Sequence, residues 1–529
     1  MPDLQECMTA IRAARVGGTF WGAQIHLSPS RPIVARPQSS AQASEMLDYA
    51  KQQGLLDRLV LWLPSGIVTE QPGTHSIPVI SGMLDPWHLF SQASCCWFDE
   101  NDENGLLARI ACLPVVRFGG AAPSSIGPDE HESLLEEINR KIVQDVDYND
   151  PFLDRASDVM STISLLAYWR ELIDSNRPIA AAAGFAHWKK GAVEPLLWGG
   201  ADPVHFMSAT SSALAAIPKD RSIAIWKSRV PKAFLDEVER QGRTVHEVED
   251  GFIRSAGLGA DCVPPLSIVV DRLGVHFDPS HPSELENVLQ NGNFAPEMLE
   301  RAERLRKLIV ETGVSKYGVG GNAIARPGGS KRHILVTGQV EDDRSVLQGG
   351  GEVKGNLDLL KRARAQEPDA YIIYKPHPDV EAGHRKGLVP EDYALSYANI
   401  VIRDAPISAL LDMVDGIHVL TSLAGFEALI RGKHVTTHGV PFYAGWGLTT
   451  DLGTIPSRRT AHRSVIEMVT AVLMLYPRYL DPVTALPCPP EILVQRLVAG
   501  IRKENWAIVS LRRLQGRVRQ KLLSMRRAI

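Results

Sequence analysis

The sequence predicts an α/β fold with two Rossmann-like lobes, preceded by a degenerate Rossmann-like half-repeat. Short apolar runs of strand type alternate with helical stretches along nearly the whole chain, which indicates parallel sheets covered by helices. A glycine-rich segment at 318–329 divides this series and marks a boundary between lobes. Residues 1–130 repeat part of the second series. The length of 529 residues also calls for more than one core.

Composition and charge indicate a globular protein without a nucleic-acid partner. The chain is 44% hydrophobic and 22% charged, and its net charge of −4 lacks the basic excess of nucleic-acid-binding proteins. Its six cysteines form no C-x-x-C pair and no zinc spacing, which favours reduced thiols. The sequence shows no signal-peptide core and no run of about 18 apolar residues, so we expect a cytoplasmic protein.

The first lobe is expected at 176–325. The apolar runs IAAAAGF, SIAIWKS and TVHEVEDGF, which begin near residue 178, predict buried strands. A helix is predicted near 296–312. The preceding stretch, 131–175, is helical and charged, which favours a connector between the half-repeat and this lobe.

The second lobe is expected at 326–490, where strands and helices alternate regularly. The predicted order is strand HILVTG, helix NLDLLKRARAQ, strands AYIIYK and NIVIR, helix ISALLDMV, strand IHVLTS, helix AGFEALIRG and strand HVTTHG. Two such lobes facing a cleft are the GT-B arrangement of glycosyltransferases. Open sheets of this kind bind ligands beyond the carboxyl ends of their strands.

The C-terminal segment 491–529 predicts a basic amphipathic helix. Residues 502–529 contain nine Lys or Arg and one acid, with apolar residues at helical spacing. Such a helix can lie on an anionic bilayer, where each basic residue adds about 1 kcal/mol. The alternative is a helix docked on the protein's own lobe.

The half-repeat keeps the scaffold of the second lobe without its polar residues. Strand PIVARPQ at 32–38 aligns with HILVTGQ at 333–339, and LVLWLPSG at 59–66 aligns with YIIYKPHP at 371–378. The positions of Asp343, His377 and Glu427 are then taken by Gln42, Ser65 and Leu107, in that order. We therefore expect 1–130 to be structural, unless the likeness reflects only the general similarity of α/β units.

Two polar segments follow strands in the sequence and could carry chemistry. In the segment 249–255, Glu249 and Asp250 stand close to Arg254, which could hold an anionic sugar or form a structural ion pair. The segment 339–345 contains Glu341, Asp342 and Asp343 in a row. These acids could form a solvated loop, bind a cation, or supply a nucleophile or general base.

Two further segments suit a phosphate and a ribose. Prolines on both sides of His377 stiffen its backbone, and Lys375 lies two residues before it, which suits a phosphate or leaving group. Ser422 is predicted to cap a helix whose first N–H groups attract phosphate, and Gly425 would allow close approach. Glu427 interrupts an otherwise apolar helix and could accept hydrogen bonds from ribose hydroxyls.

Six motifs, in this order and spacing, resemble those of the KpsC-type capsule β-Kdo transferases over about residues 180–480. They are EDGFIRSAGLGADCVPPLSIVVD at 249–271, SKY at 315–317, GQVEDDRS at 338–345, KPHPDV at 375–380, TSLAGFEALIRGK at 421–433 and PFYAGWGLT at 441–449. Members of this family typically carry two such modules, whereas only the second is intact here. The resemblance implies a retaining transferase that uses CMP-Kdo to build the Kdo linker of a capsule-type polysaccharide on a glycolipid.

The resemblance also implies roles for individual residues. Asp343 would be the catalytic carboxylate, in a motif that includes Gln339 and Ser345. His377 with Ser422 would receive the CMP phosphate, while Glu427 would hold the ribose. The residues that would line the Kdo or acceptor side are Glu249, Asp250 and Arg254, and those that would shape the pocket are Tyr443 and Trp446.

The partners implied are CMP-Kdo, a lipid-linked Kdo acceptor, the inner face of the inner membrane and other capsule assembly proteins, with no metal and no cofactor. Two alternatives remain open. One is another GT-B enzyme, such as a sialyltransferase-like enzyme using a CMP-sugar or a nucleotide-sugar epimerase. The other is a non-catalytic subunit of capsule assembly or export.

Overall fold

The computed structural model describes residues 3–27, 32–64, 77–127, 130–255, 263–316, 320, 324–383 and 385–501. The chain forms two compact units. Unit 1 contains residues 1–178 and 197–204, and unit 2 contains residues 179–196 and the chain from 205 onward. Ser65 and the segment 502–529 lie outside the described residues, so the expectations about them stay predictions.

The strands of unit 1 are β1 (Ile33–Arg36), β2 (Leu59–Leu63), β3 (Val79–Ser81), β4 (Cys95–Asp99), β5 (Val115–Phe118), β6 (Ser124–Ile126), β7 (Asn149–Asp150) and β8 (Arg155–Ala156). Its helices are α1 (Leu4–Ala14), α2 (Ser40–Gln52), α3 (Pro86–Phe90), α4 (Glu103–Ile110), α5 (His131–Ile138) and α6 (Val159–Asn176), with a 3₁₀ turn at Leu56–Arg58 and a π-helical segment at Asn139–Gln144.

The main sheet of unit 1 is covered by helices on both faces. Its order is β3-β2-β1-β4-β5-β6. Alternate residues of β1 point to opposite faces, so Ala35 packs with Met46 of α2 while Val34 packs with Ile11 of α1. Because both faces are buried at its centre, the central strands β1, β2, β4 and β5 are mostly apolar, whereas the edge strands β3 and β6 are largely exposed.

The stretch 131–175 does not form the connector that the sequence indicated. Its helices α5 and α6 pack on α1 within unit 1, and Leu134, Ile138 and Ile163 share a core cluster with Ile11. The many charged residues of this stretch concealed the apolar positions that the helices turn inward.

The strands of unit 2 are β9 (Ile179–Ala183), β10 (Phe206–Met207), β11 (Ser222–Ile225), β12 (Val245–Asp250), β13 (Ser267–Asp271), β14 (His333–Thr337), β15 (Tyr371–Lys375), β16 (Ile400–Val401), β17 (Gly416–Val419), β18 (His434–Thr437), β19 (Thr450–Asp451), β20 (Pro477–Leu480) and β21 (Pro487–Cys488).

The helices of unit 2 are α7 (His187–Leu197), α8 (Ser211–Ala215), α9 (Lys232–Arg240), α10 (Glu284–Asn291), α11 (Pro296–Thr312), α12 (Arg344–Gly349), α13 (Asn356–Gln366), α14 (Pro378–Glu381), α15 (Glu391–Leu395), α16 (Ile407–Met413), α17 (Leu423–Leu429), α18 (Val465–Val469) and α19 (Pro490–Val498), with a 3₁₀ turn at Lys227–Arg229 and a π-helical segment at Thr470–Leu475.

Unit 2 contains two sheets, which we call the first lobe and the second lobe. The first lobe has the order β10-β9-β11-β12-β13-β20-β21, and the second lobe has the order β16-β15-β14-β17-β18-β19. The pairs of the second lobe are parallel, as are those from β10 to β12 in the first lobe. In the first lobe, β13, β20 and β21 add antiparallel pairs.

The lobe boundary predicted at residue 490 is therefore misplaced. After the second lobe the chain returns, and β20 and β21 extend the sheet of the first lobe. These strands have four and two residues and each begins with proline, so no alternating pattern marked them as strands.

The sheet of unit 1 and that of the second lobe follow the same strand order. Strands β1 to β6 occupy the same places as β14 to β19, and the outermost pair differs only because β6 is antiparallel to β5 whereas β19 is parallel to β18. No helix of the described residues is both long and apolar enough to cross a bilayer. None of the described cysteines forms a disulfide, and Cys262 lies outside the described residues.

Candidate active site

The residues singled out by the sequence follow the carboxyl ends of strands in unit 2. In the second lobe, Asp343 follows β14, His377 follows β15 and Ser422 follows β17. These strands are neighbours and parallel, so the three residues share one edge of the sheet. In the first lobe, Glu249 and Asp250 end β12.

Asp343 is held by one of its two carboxylate oxygens. It is the N-cap of α12, and its Oδ1 accepts hydrogen bonds from the backbone N–H (3.0 Å) and the hydroxyl (2.9 Å) of Ser345. Within the described part of the chain no hydrogen bond reaches Oδ2. The half-buried carboxylate is thus oriented by Ser345 and keeps one oxygen available for chemistry.

Gln339 joins the loop of Asp343 to the loop of Ser422. Its buried side chain donates from Nε2 to Thr421 Oγ1 (3.0 Å), and its Oε1 accepts from the Thr421 N–H (2.8 Å). The Gln339 backbone N–H donates to Asn356 Oδ1 (2.8 Å). The segments after β14 and β17 are therefore braced against each other.

His377 is held as a neutral imidazole with a defined tautomer. Its Nδ1 accepts a hydrogen bond from the Asp379 N–H (3.1 Å), which assigns the ring proton to Nε2. Burial, with Lys316 assisting, lowers the pKa of His377 below its usual range, although Asp379 and Asp343 oppose the shift. At neutral pH the side chain can therefore donate a hydrogen bond from Nε2.

Lys375 is engaged within the protein. Its buried Nζ donates to the Arg403 carbonyl (2.9 Å), beyond β16. Burial lowers the pKa of Lys375, against Asp404 and Glu381. The structure thus gives its ammonium a role in fixing the neighbouring loop, whereas the sequence suggested contact with a phosphate.

Ser422 and Glu427 lie on α17. The Ser422 hydroxyl accepts from the Ala424 N–H (3.2 Å) as the helix N-cap. Glu427 is buried, and its Oε1 accepts from the Lys316 N–H (3.1 Å). Burial raises the pKa of Glu427, against Arg431 and Lys316. Within the described residues, Oε2 of Glu427 receives no hydrogen bond.

The glycine of this helix serves packing. A Cβ at residue 425 would collide with the hydroxyl of Tyr443, which itself donates to the Ser422 carbonyl. Tyr443 and Trp446 are fully buried, and Tyr443 supports the first turn of α17, whereas Trp446 donates from its ring N–H to the Phe442 carbonyl (2.8 Å). The close approach expected at Gly425 is thus made by Tyr443.

Arg254 organises the loop after β12. It is 1% exposed, and its guanidinium contacts Asp250 Oδ2 (2.9 Å), Ser255 Oγ (2.8 Å) and the Val263 carbonyl (2.9 Å). The sequence suggested that Arg254 either holds an anionic sugar or forms a structural ion pair, and this geometry favours the ion pair. Burial opposes ionisation of Asp250, but Arg254 and Lys189 outweigh it and lower its pKa.

Arg344 connects the two lobes through Glu249. Its Nη1 lies 2.8 Å from Glu247 Oε1 and 3.0 Å from Glu249 Oε1. Burial raises the pKa of Glu249 to about 8, assisted by Asp250 and Glu247 and opposed by Arg344. Because Arg344 directly follows Asp343, this ion pair also fixes the start of α12 against the first lobe.

Three cations of the site were not assigned from the sequence: Lys189, Lys316 and Arg344. Lys189, on α7, lies 3.2 Å from the centroid of the Trp226 ring and 3.5 Å from Asp250. Burial lowers the pKa of Lys189 to about 8, against Asp250. No motif surrounds this lysine, so only the fold brings it to β12.

Lys316 links the loop after β12 to α17. Its carbonyl accepts from the N–H groups of Arg254 (3.1 Å) and Ser255 (3.3 Å), while its own N–H donates to Glu427. The SKY motif includes Lys316, but the sequence did not indicate that its backbone joins these two segments. In the described part of the chain, no group of three His, Cys, Asp or Glu residues could hold a metal ion. The expectation that no metal is needed stays a prediction.

Two Rossmann-like sheets in one unit, with polar residues at the carboxyl ends of their strands, define the GT-B fold of glycosyltransferases. A family model described as "Capsule polysaccharide biosynthesis protein" matches residues 222–322 and 322–479. The chain belongs to this family, with the KpsC-type module that its motifs resemble.

Two curated relatives and one solved structure illustrate the likeness. The capsule polysaccharide modification protein LipA of Neisseria meningitidis serogroup A is 39% identical over 457 residues, 83% of this chain and 64% of LipA. The lipopolysaccharide-processing protein LpsZ of Rhizobium meliloti is 46% identical over 237 residues, 44% of this chain and 53% of LpsZ. The KpsC β-Kdo 2,4-transferase of Thermosulfurimonas dismutans has a TM-score of 0.52 and 30% identity, covering 60% of this chain and 98% of that one.

The chain spans less than two thirds of the length of these curated relatives. It covers nearly all of the solved transferase module, however.

Proposed function

We propose that this chain is a retaining β-Kdo glycosyltransferase that uses CMP-Kdo to build the Kdo linker of a capsule-type polysaccharide on a glycolipid acceptor. The observation that carries the proposal is Asp343, a carboxylate with one oxygen fixed by Ser345 and the other unengaged within the described residues. The family and the likeness to a solved β-Kdo transferase support the choice of sugar.

In the proposed mechanism Asp343 is the nucleophile of a double displacement. Its Oδ2 would bond to the anomeric carbon of Kdo while the bond to the phosphate oxygen breaks, and CMP would leave with the electron pair. The acceptor hydroxyl would then displace Asp343 from the opposite side, so that two inversions retain the configuration.

Residues of the second lobe would bind the leaving phosphate and the ribose. His377, neutral and protonated on Nε2, would donate to the phosphate as negative charge develops. Oε2 of Glu427 would accept from a ribose hydroxyl, since its Oε1 is already taken by Lys316.

Residues of the first lobe would bind and activate the acceptor. Asp250 is kept ionised by Arg254 and Lys189, so it is our candidate for taking the proton of the acceptor hydroxyl. Glu249 lies against Arg344, and because its pKa is raised to about 8 it can exchange a proton near neutral pH, which suits a hydrogen bond with a hydroxyl of the sugar.

Incubation with CMP-Kdo generated in situ and a synthetic Kdo-lipid acceptor, followed by linkage analysis of the product, tests this function. We expect β-linked Kdo transfer that is lost in Asp343→Asn. Asp342→Asn is the matched control, because that neighbouring carboxylate is exposed and pairs with Arg385 (3.1 Å). Transfer from CMP-sialic acid but not from CMP-Kdo, or no transfer from any CMP-sugar, would contradict the proposal.

A further inference from the structure

Unit 1 contains a cavity of about 1090 Å³ that the proposed catalytic site does not use. Its walls come from the end of α1, from α4, α5 and α6, and from the π-helical segment Asn139–Gln144. This volume is slightly larger than the range of about 300–1,000 Å³ that is typical of small-molecule sites. π-Helical insertions are also frequent at functional sites.

One wall of the cavity carries an excess of positive charge away from bulk water. Glu137 Oε2 accepts from Arg109 (2.6 Å) and Arg117 (2.6 Å), and its Oε1 lies 3.0 Å from Lys141 Nζ. These four side chains are between 5% and 27% exposed. Three cations around one carboxylate leave a net charge of +2.

The acids at the cavity rim do not cancel this charge. They are Glu100, Glu103, Glu130, Glu136 and Asp145, and all of them are exposed, where water and salt screen them. Burial opposes ionisation of Glu137, but hydrogen bonds from Lys141 and Arg117 outweigh it and lower its pKa. The carboxylate therefore stays charged, and the cations beside it still exceed it in number.

Apolar side chains form another part of the cavity lining. Leu106 and Leu107 of α4, Ile163 and Leu166 of α6 and Ile11 of α1 line the cavity. A space with one cationic wall and a hydrocarbon interior matches a ligand with an anionic head and an apolar tail.

The cavity is not the equivalent of the proposed nucleotide site. In unit 1 the N-cap of α4 is Asp102, at the position that Ser422 takes on α17. Asp102 accepts from Arg36 and from Gln38 Nε2 (2.7 Å), and Gln42 Nε2 donates to Asp99 (2.6 Å). The edge that would receive a phosphate is closed by a carboxylate and its partners.

We propose that unit 1 binds an anionic amphiphile, a molecule with a phosphate or carboxylate head and a single hydrocarbon chain, in this cavity. The head lies against Arg117 and Lys141, and the chain runs along Leu107 and Leu166. This site goes beyond the proposed transfer reaction and does not depend on it.

Calorimetric titration of the full chain with dodecyl phosphate, kept below its micelle concentration, tests the site. We expect saturable binding at one molecule per chain, at least tenfold weaker in Arg117→Gln/Lys141→Gln. That double variant retains the Arg109–Glu137 pair, which is the most buried of the three contacts to Glu137. Arg155→Gln, at a residue of unit 1 whose side chain is 70% exposed, is the control and should bind as the wild type does.

A second variant and two further probes measure separately how the anionic head and the hydrocarbon chain of the ligand contribute to binding. Leu166→Trp should fill the cavity and weaken binding without touching the cations. Inorganic phosphate and dodecyl maltoside should each bind at least tenfold more weakly than dodecyl phosphate. Equal binding of either probe, or unchanged binding of dodecyl phosphate in both variants, would overturn the proposal.

Discussion

Replacement of Gln339 by alanine should reduce transfer while the chain stays folded. The change removes both hydrogen bonds to Thr421, at 3.0 and 2.8 Å, and leaves the N–H of the half-buried Thr421 without its acceptor. Two neutral hydrogen bonds and one unsatisfied donor amount to about 2–3 kcal/mol of folding free energy. A chain of this size should remain folded at 25 °C after such a loss.

The effect on catalysis follows because the hydrogen bonds of Gln339 position the loop that carries Asp343. Gln339 fixes the loop of Asp343 against the loop of Ser422, and a displacement of about 1 Å between reacting groups can cost about a hundredfold in rate. We therefore expect kcat for CMP release from CMP-Kdo to fall between about tenfold and a hundredfold, or about 1.4–2.7 kcal/mol in barrier.

Two matched variants distinguish the loss of the contact between Gln339 and Thr421 from a general loss of stability. Gln366→Ala changes an exposed glutamine of the same lobe and should leave kcat unchanged. Thr421→Val removes only the hydroxyl partner, so its effect should be smaller than that of Gln339→Ala and should not add to it. If Gln339→Ala keeps kcat within twofold of the wild type, the two loops do not depend on this brace.

The remaining predictions concern the lobe contact, acid stability and the tail. Arg344→Met removes the partner of the half-buried Glu249, whereas Glu247 keeps its contact with Lys227 (2.6 Å), and it should lower the free energy of unfolding by about 2 kcal/mol in urea titration, where a loss below about 0.5 kcal/mol would contradict the account. Burial lowers the pKa of His418 to about 3 and that of His438 to about 4. The folded state thus binds fewer protons than the unfolded state below pH 6.5, and each histidine should cost about 2 kcal/mol of stability between pH 7 and pH 5. The double variant His418→Leu/His438→Leu should therefore lose less stability over this pH range, and an unchanged pH dependence would refute the assignment. Removal of 502–529 should abolish binding to anionic liposomes, and equal binding of the shortened chain would exclude the membrane helix.

The long periodic elements of this fold could be predicted from sequence because local signals agree there. Helix α11 coincides with the expected range, since Pro296 stands at its start and Gly313 ends it in the left-handed conformation (φ 65°). The regular alternation of the second lobe was equally visible. The return of the chain to the first lobe at β20 was not, because short strands that begin with proline carry no periodic signal.

The candidate site was likewise predictable from the sequence only in part. Strand ends placed Asp343, His377 and Ser422 at one sheet edge, as expected from parallel topology. The partners of Lys375 and Arg254 could not be foreseen, since a charged residue in a motif does not reveal whether its charge faces a ligand or the protein. The ion pair from Arg344 to Glu249 joins residues 95 positions apart, and only the fold brings them together.

In unit 1, the structure explains more of the altered polar residues than the sequence alignment does. The loss of Asp343, His377 and Glu427 equivalents suggested an inactive copy. The structure adds Asp102, a carboxylate in the place of the Ser422 hydroxyl, and Gln42, which is buried and bonded to Asp99. Gln42 thus has a structural reason to be there.

The central claim is that Asp343 carries the sugar. Intact-mass and peptide mass spectrometry of the protein mixed with CMP-Kdo, without acceptor, measures this most directly. We predict an adduct of the mass of one Kdo residue on the peptide that contains Asp343, absent from Asp343→Asn and present in Asp342→Asn. An adduct on another peptide, or unimpaired turnover by Asp343→Asn, would contradict the mechanism.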